Sequence, residues 1–213
     1  MKQKLIRITT VPISLGGLLQ GQSKFMSQFY EVVGISSDKE NLEKVGAKEE
    51  IRVIPVNLTR KITPIQDLKA LITLYKILRK EKPFIVHSHT PKAGTIGMMA
   101  ARMAGVPHRL HTIAGLPLVE ATGLKRILLN AVEKLTYSCA TKVYPNSVGL
   151  QEIVLDHKFT NTKKLKVIGH GSSNGIDTSY FDPSLYSTAT KLELRKKLKL
   201  TDDDFVFVFV GRL

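Results

Sequence analysis

Between Phe84 and Gly97 the chain reads FIVHSHTPKAGTIG. Phe84, Ile85 and Val86 form a short apolar run of the kind that fills a buried parallel strand. Polar residues follow at once, namely His87, Ser88, His89 and Thr90. Pro91, Lys92 and Gly94 then open a helix of small residues that continues to about Ala104. Open α/β sheets bind ligands where a strand ends in polar side chains and turns into a helix. The free N–H groups of such a helix, with Lys92 beside them, offer a seat for an anion. A buried strand, a turn and two structural histidines fit the same residues. The remainder of the chain has to decide between these readings.

Strand candidates recur on both sides of this stretch. Leu5 to Thr10 reads as a first strand, followed by a turn with Pro12, Ser14, Gly16 and Gly17. A first helix starts near Gly17 and carries Leu18, Leu19, Phe25, Met26 and Phe29 at helical spacing. Its glycines would let the backbone approach a ligand, although the pattern is not the G-x-G-x-x-G dinucleotide fingerprint. Glu31 to Ser36 and Ile51 to Val56 are further strands, with a short helix over Lys39 to Val45 between them. Pro64 suits a helix start, and Ile65, Leu68, Leu71, Ile72, Tyr75 and Leu78 mark an apolar face. Lys69, Lys76, Arg79 and Lys80 mark the solvated face.

After the central helix, His108 to Ile113 is a strand that brings His111 near its carboxyl end, as His87 and His89 are near theirs. In a parallel sheet these histidines would line one crevice. Leu124 to Tyr137 reads as a core-packing helix, with Leu124, Ile127, Leu128, Ala131, Val132 and Leu135 apolar and Lys125, Arg126 and Lys134 beside them. The same alternation would also suit an acidic membrane surface. Strands follow at Thr141 to Tyr144, Lys164 to Ile168 and Phe205 to Val210, with helices up to His157 and from Leu192 to Leu198. At least seven strand candidates alternating with helices predict an α/β fold. The expected architecture is a doubly wound parallel sheet with right-handed crossovers.

The formal net charge of +14 is spread along the chain and favours an anionic partner. Zinc-finger spacing, an aromatic RNA-binding motif and Trp are all missing, which argues against nucleic acid. Cys139 is the single cysteine, so an intramolecular disulfide and a thiolate-rich metal site are excluded. No apolar run approaches the roughly 20 residues of a membrane span, and MKQKLIRITT does not read as a signal peptide.

Four segments in order carry a resemblance to a known family. HSHTPKAGTIGMMAARMAGVPHRLHTIAG is similar to the middle of the first domain of family 4 glycosyltransferases, of the type that assembles bacterial capsule and lipid-linked glycans. TTVPISLGGLLQGQ resembles that family's first loop and helix, SNGIDTSYFDP its interdomain linker, and FVFVFVGRL the opening strand of its second domain. The resemblance implies a Rossmann-like domain forming the first half of a GT-B architecture. The domains implied are 1–173 for the acceptor, 174–204 as linker and helix, and 205–213 as the start of a nucleotide-sugar domain. The implied reaction moves a sugar from a nucleotide diphosphate to a glycan acceptor, with retention and without a metal ion or other cofactor.

The resemblance also implies site residues. Gly16 and Gly17 belong to the loop near the donor phosphate or acceptor, His111 is the catalytic-cleft histidine that contacts the transferred sugar, and His89 and Lys92 contact the acceptor. Arg212 neutralises the donor diphosphate, while Asn174 and Asp177 are structural linker residues. The implied partners are a nucleotide-sugar, a lipid-linked or oligosaccharide acceptor and an acidic membrane surface, on the cytoplasmic side and peripheral to the inner leaflet. The family's later lysine and Glu-x7-Glu motif are not among these 213 residues, so the chain alone is not expected to transfer sugar. Two other classes compete: another nucleotide-using α/β enzyme such as a sugar epimerase or dehydrogenase, and a non-catalytic domain that binds anions or nucleic acid.

Overall fold

Each strand of the sheet is carried back to its starting edge by a helix, so all of them run in one direction. Six parallel strands pair in the order β3-β2-β1-β4-β5-β6. They are β1 (Lys4–Ile8), β2 (Glu31–Ser36), β3 (Arg52–Pro55), β4 (Ile85–Ser88), β5 (His108–Ile113) and β6 (Lys142–Pro145). The computed structural model describes residues 2–173, 175–201 and 203–210. They fall into two units, 1–174 and 175–213.

The strand order reverses between β1 and β4, which is the switch point where α/β sheets take ligands. One face of the sheet is covered by α3 (Pro64–Glu81), α4 (Pro91–Met103) and α5 (Gly123–Cys139), with α4 packed between the other two. The main core lies on this side and contains Ile6, Ile8, Val86 and Val143 beneath Leu74, Leu78, Met98 and Ala100. Small residues let α4 sit low on the strands: a Cβ on Gly97 would stand 3.1 Å from Ile8 Cδ1. The other face is covered over β2 and β3 by α2 (Lys39–Glu49) and a π-helical turn, Ser14–Leu18. Leu15, Leu19 and Leu42 form a second, smaller core there. α6 (Val148–Asp156) follows β6 and packs on it.

Four local expectations need correction. The first helix is broken: after Ser14–Leu18 the chain turns at Gly21, whose φ is +73°, and restarts as α1 (Gln22–Met26). Glu49, buried at the end of α2, accepts from the N–H groups of Gly21 and Lys24 and so holds the break in place. The stretch 164–168 contributes a single bridge, Leu165 to Val143, before Gly169 and Gly171 turn the chain with positive φ. Phe205 to Val210 pairs with no strand among the described residues and exposes its side chains, because a strand without a neighbour has no ladder to join.

The fourth correction concerns the helix faces. On α3 the buried side is Ala70, Leu74 and Leu78, while Ile65, Leu68 and Ile72 face solvent. On α5 the expected core face is outward, with Leu124, Ile127, Leu128 and Leu135 exposed and Glu133, Thr136 and Tyr137 buried. Thr136 Oγ1 meets Thr95 Oγ1 of α4 at 3.0 Å, so a polar contact joins the two helices where apolar packing was expected.

In the second unit the described residues form a 3-10 turn, Pro183–Leu185, and α7 (Thr188–Lys197). The Asp177 carboxylate accepts from the N–H groups of Ser179 and Tyr180 and closes a local turn. Asn174 lies outside the described residues.

At the amino-terminal rim of the sheet, Glu81 gathers β1, β3 and the end of α3. Its carboxylate accepts from Arg52 Nη1 at 3.0 Å and Lys4 Nζ at 2.6 Å. Arg52 first, and Lys4 after it, hold this carboxyl down at about 2. Because the folded value is depressed, the contribution is present above pH 4.5 and fades as pH falls toward 2. Arg52 is half exposed, so screening limits the effect. Glu81→Gln should lower the unfolding free energy by about 1–2 kcal/mol at neutral pH, measured by urea denaturation.

Candidate functional site

Side chains of a strand alternate between faces, and the register sorts the polar residues at the carboxyl ends accordingly. Arg7 pairs with His87, and Thr112 with Tyr144, so these four share one face. Ser88 pairs with His111, which puts both on the opposite face beneath α4 and α5. A cleft of about 260 Å³ lies on the first face. Its walls include Leu19, Gln22, His87, His89, Thr112 and Tyr144. Asn146 and the segment from Ile168 through Ser173 close it.

The His87 Nε2 atom lies 2.8 Å from Thr112 Oγ1, which fixes that ring. The His89 ring sits 3.9 Å from the His87 ring, tilted by 38°. His89 is only 4% exposed, yet neither of its ring nitrogens has a hydrogen-bond partner among the described residues. Unmet hydrogen bonding of this kind is uncommon in a buried side chain and marks a place where a polar ligand atom is accommodated. Burial pushes the His87 and His89 imidazoles well below the ordinary histidine range, and the Arg7 charge adds to it. Both rings are therefore neutral at neutral pH, each with one donor and one acceptor nitrogen.

Arg7 is buried, and burial pushes its guanidinium down to about 10 even though Glu49 opposes the shift. Its Nη1 donates to Gln22 Oε1 at 3.2 Å, and Gln22 Nε2 donates to the Ser173 carbonyl at 2.6 Å. The cation is thus set behind Gln22, away from the cleft walls, and the cleft itself presents uncharged groups. Its roof depends on Gly171, with φ +92°: a Cβ there would stand 2.3 Å from the Asn146 carbonyl oxygen. Ser172 N–H donates to that same carbonyl at 2.7 Å.

The residues proposed from sequence separate in space. His89 lines the cleft. His111 does not share the cleft with His87 and His89. Its Nδ1 lies 2.8 Å from Ser88 Oγ, its ring is stacked near Tyr137, and burial lowers it to about 4. Gly94 makes room for it, since a Cβ at that position would stand 2.4 Å from His111 Cε1. Lys92 is turned to α3, where its ammonium pairs with Asp67. Gly16 packs against Val45, with a Cβ there 2.9 Å from Val45 Cγ2, whereas Gly17 has open space around it. Arg212 lies outside the described residues. Arg7, Gln22, Thr112 and Tyr144 were not singled out from sequence. The available signal was the apolar–polar alternation in Ile6-Arg7-Ile8 and Val143-Tyr144, which marks strands with one face uncovered by a helix.

A larger hollow of about 700 Å³ opens at the opposite rim, among Lys4, Glu31, Glu81 and Pro107. Lys4, Glu31 and Glu81 there are engaged with one another.

Two expected outcomes follow. His111 is neutral in the fold but protonates when unfolded below its ordinary value of 6.5. The unfolded chain then binds more protons, so stability falls as pH drops from 6.5 to about 4. His111 alone accounts for roughly 3 kcal/mol over that window, and His87 and His89 act in the same direction. Urea midpoints across pH 7.5 to 5 check this, and a flat profile would contradict it. Gly94→Ala gains about 1 kcal/mol of helix propensity, but overpacking against a fixed ring costs more, so a net loss of roughly 1–2 kcal/mol is expected in the same assay.

Comparison with known proteins identifies the family of the chain. Residues 19–147 match the glycosyl transferase 4-like family. The chain is 37% identical over 212 residues to a capsular polysaccharide biosynthesis glycosyltransferase of Staphylococcus aureus, spanning 99% of this chain and 53% of that protein. It is 38% identical over 159 residues to the UDP-Gal:alpha-D-GlcNAc-diphosphoundecaprenol alpha-1,3-galactosyltransferase of Escherichia coli, spanning 73% and 39%. The chain therefore spans about half, or less, of the length of these relatives. Among solved structures, a Rickettsia africae glycosyltransferase superposes with a TM-score of 0.64 at 18% identity, over 95% of this chain and 51% of that one. A Rickettsia bellii UDP-N-acetylglucosamine 2-epimerase superposes with a TM-score of 0.66 at 14% identity, over 94% and 52%. The fold is shared by both kinds of enzyme, while the sequence kinship is with the transferases, and the chain belongs to the glycosyl transferase 4-like family.

Proposed function

We propose that this chain is the acceptor-holding part of a retaining glycosyltransferase, which moves a sugar from a nucleotide-diphosphate donor to a lipid-linked glycan. The observation that carries the reading is the cleft at the switch point, walled by neutral hydrogen-bonding groups and the Tyr144 ring. A sugar offers hydroxyls that both donate and accept, and a neutral imidazole answers with one of each. A phosphate would call for a cation facing the cleft, and Arg7 is set behind Gln22. The cleft is accordingly assigned to the acceptor sugar, with His89 as its central contact and Thr112 holding His87 in place.

Gly17, with its open surroundings, is assigned to the approach of the donor phosphate, and Arg212 to neutralising the diphosphate. Basic side chains and helix N-termini are taken to stabilise that leaving group in place of a metal ion. His111, sealed under α4, is assigned a positioning role: through Ser88 it fixes the carboxyl ends of β4 and β5 that present the transferred sugar. The family kinship, and a relative that acts on a diphosphoundecaprenol-linked sugar, support a lipid-linked acceptor at the cytoplasmic face of a membrane. No helix among the described residues is long and apolar enough to cross one.

The test is binding of GlcNAc-diphosphoprenol in detergent solution, followed by tryptophan-free methods such as calorimetry. The chain is expected to bind it without turnover when a nucleotide-sugar is added. His89→Ala should weaken binding by about tenfold, the loss of one or two hydrogen bonds to a buried group, while the fold is retained by circular dichroism. Equal affinity of the variant, or robust turnover by these residues alone, would count against the reading.

A further inference from the structure

Arg7 is the only lysine or arginine buried among the described residues, with 5% of its surface exposed. It stands in no ion pair there. Glu49, the carboxylate whose charge acts on it, is already bonded to the N–H groups of Gly21 and Lys24. The one side-chain hydrogen bond of Arg7 runs from Nη1 to a neutral acceptor, Gln22 Oε1, and its Nε is buried without a partner. Burying a cation in this state is costly, and a built-in carboxylate or a ligand ordinarily relieves it. The fold nevertheless keeps this cation near the carboxyl end of β1, in register beside His87 at the switch point. His89 adds two ring nitrogens that also lack partners.

Gln22 stands between the cation and the cleft, since it lines the cleft and also accepts from Arg7. A carboxamide offers the guanidinium one oxygen and no charge. A carboxylate offers two oxygens in the spacing of the guanidinium fork, together with the missing negative charge. The charge count selects the kind of anion. A carboxylate carries a single negative charge, which one guanidinium balances. A phosphate monoester carries about −1.5 to −2 at neutral pH, and no second cation lines the cleft among the described residues. The volume of about 260 Å³ lies below that of pockets for drug-sized ligands, roughly 300–1,000 Å³, and suits one small ring.

We propose that the cleft selects a sugar bearing a carboxylate, whose oxygens take the place of the Gln22 carboxamide as acceptors for Arg7 while its hydroxyls meet His89. The inference rests on the reading above that this cleft holds the acceptor sugar, and names the class of that sugar. The experiment is ligand-observed NMR titration of the full chain with free glucuronate, glucose and glucose 6-phosphate. Glucuronate is expected to bind about tenfold or more tightly than glucose, the gain of a hydrogen-bonded charge pair. Glucose 6-phosphate is expected to gain less than glucuronate, for want of a second cation. Arg7→Met, with its fold checked by circular dichroism, should bring glucuronate down to the level of glucose. Gln22→Ala, which uncovers the guanidinium, should widen the ratio of glucuronate to glucose affinity several-fold, and it decides the matter if Arg7→Met does not fold.

Absence of glucuronate binding would overturn the proposal. So would equal affinities for glucuronate and glucose, a preference that survives in Arg7→Met, or a ratio that does not widen in Gln22→Ala. Tighter binding of glucose 6-phosphate than of glucuronate would overturn the choice of a carboxylate. The sugar of GlcNAc-diphosphoprenol carries no carboxylate, so its binding, and the loss of that binding in His89→Ala, tests the acceptor reading separately from this one.

Discussion

The period of two along a strand, acting in a sheet whose two faces are covered differently, governs the other features of this molecule. At β1, β4, β5 and β6 one side chain goes under α3, α4 and α5, and the next goes to the face that those three helices leave uncovered. Ile6, Ile8, Val86 and Val143 fill the covered side. Arg7, His87, Thr112 and Tyr144 take the other. A shift of one residue in any of these registers would bury the polar set under α4 and place the apolar set in the cleft. The same alternation that makes the core therefore makes the site, and neither can be altered alone.

The electrostatics of the cleft follow from that arrangement. Burial keeps His87 and His89 uncharged, and the nearby Arg7 cation reinforces it. Arg7 is in turn tolerated because Glu49 lies close by and Gln22 accepts from it. Glu49 also accepts from Gly21 and Lys24, so the carboxylate that helps settle the cation also fixes the break between Ser14–Leu18 and α1. The bend after β1 and the charge behind the cleft are thereby one structural decision.

Much of the fold could be read from the residues, because parallel strands between amphipathic helices leave strong periodic traces. The switch-point strand, its helix and the Pro64 helix start were all visible. Helix faces were harder. On α5 the apolar spacing is real, but it points outward, and periodicity alone carries no information about which side of a helix meets the protein. The site was half legible. His89 could be named because it follows a strand directly. The separation of His111 from it depends on odd or even position within strands whose exact ends the sequence does not mark. Lys92 looked available beside a helix start, and only the tertiary neighbour Asp67 occupies it. Arg7 carries no such signal, because a single charged residue inside an apolar strand resembles an exposed edge position until its neighbours are known. Phe205 to Val210 has the composition of a strand, but a ladder requires a second chain segment and composition cannot supply one.

Gln22 has a consequence that its small size conceals. Its amide oxygen receives Arg7 at the centre of the sheet, and its amide nitrogen grips the carbonyl of Ser173, close to the crossing into the second unit. The Ser173 hydroxyl also donates to Asn146 Oδ1 at 3.1 Å. The backbone leading to that crossing is thus fastened twice, through Gln22 to the strand at the switch point and through Asn146 to the residue that follows β6.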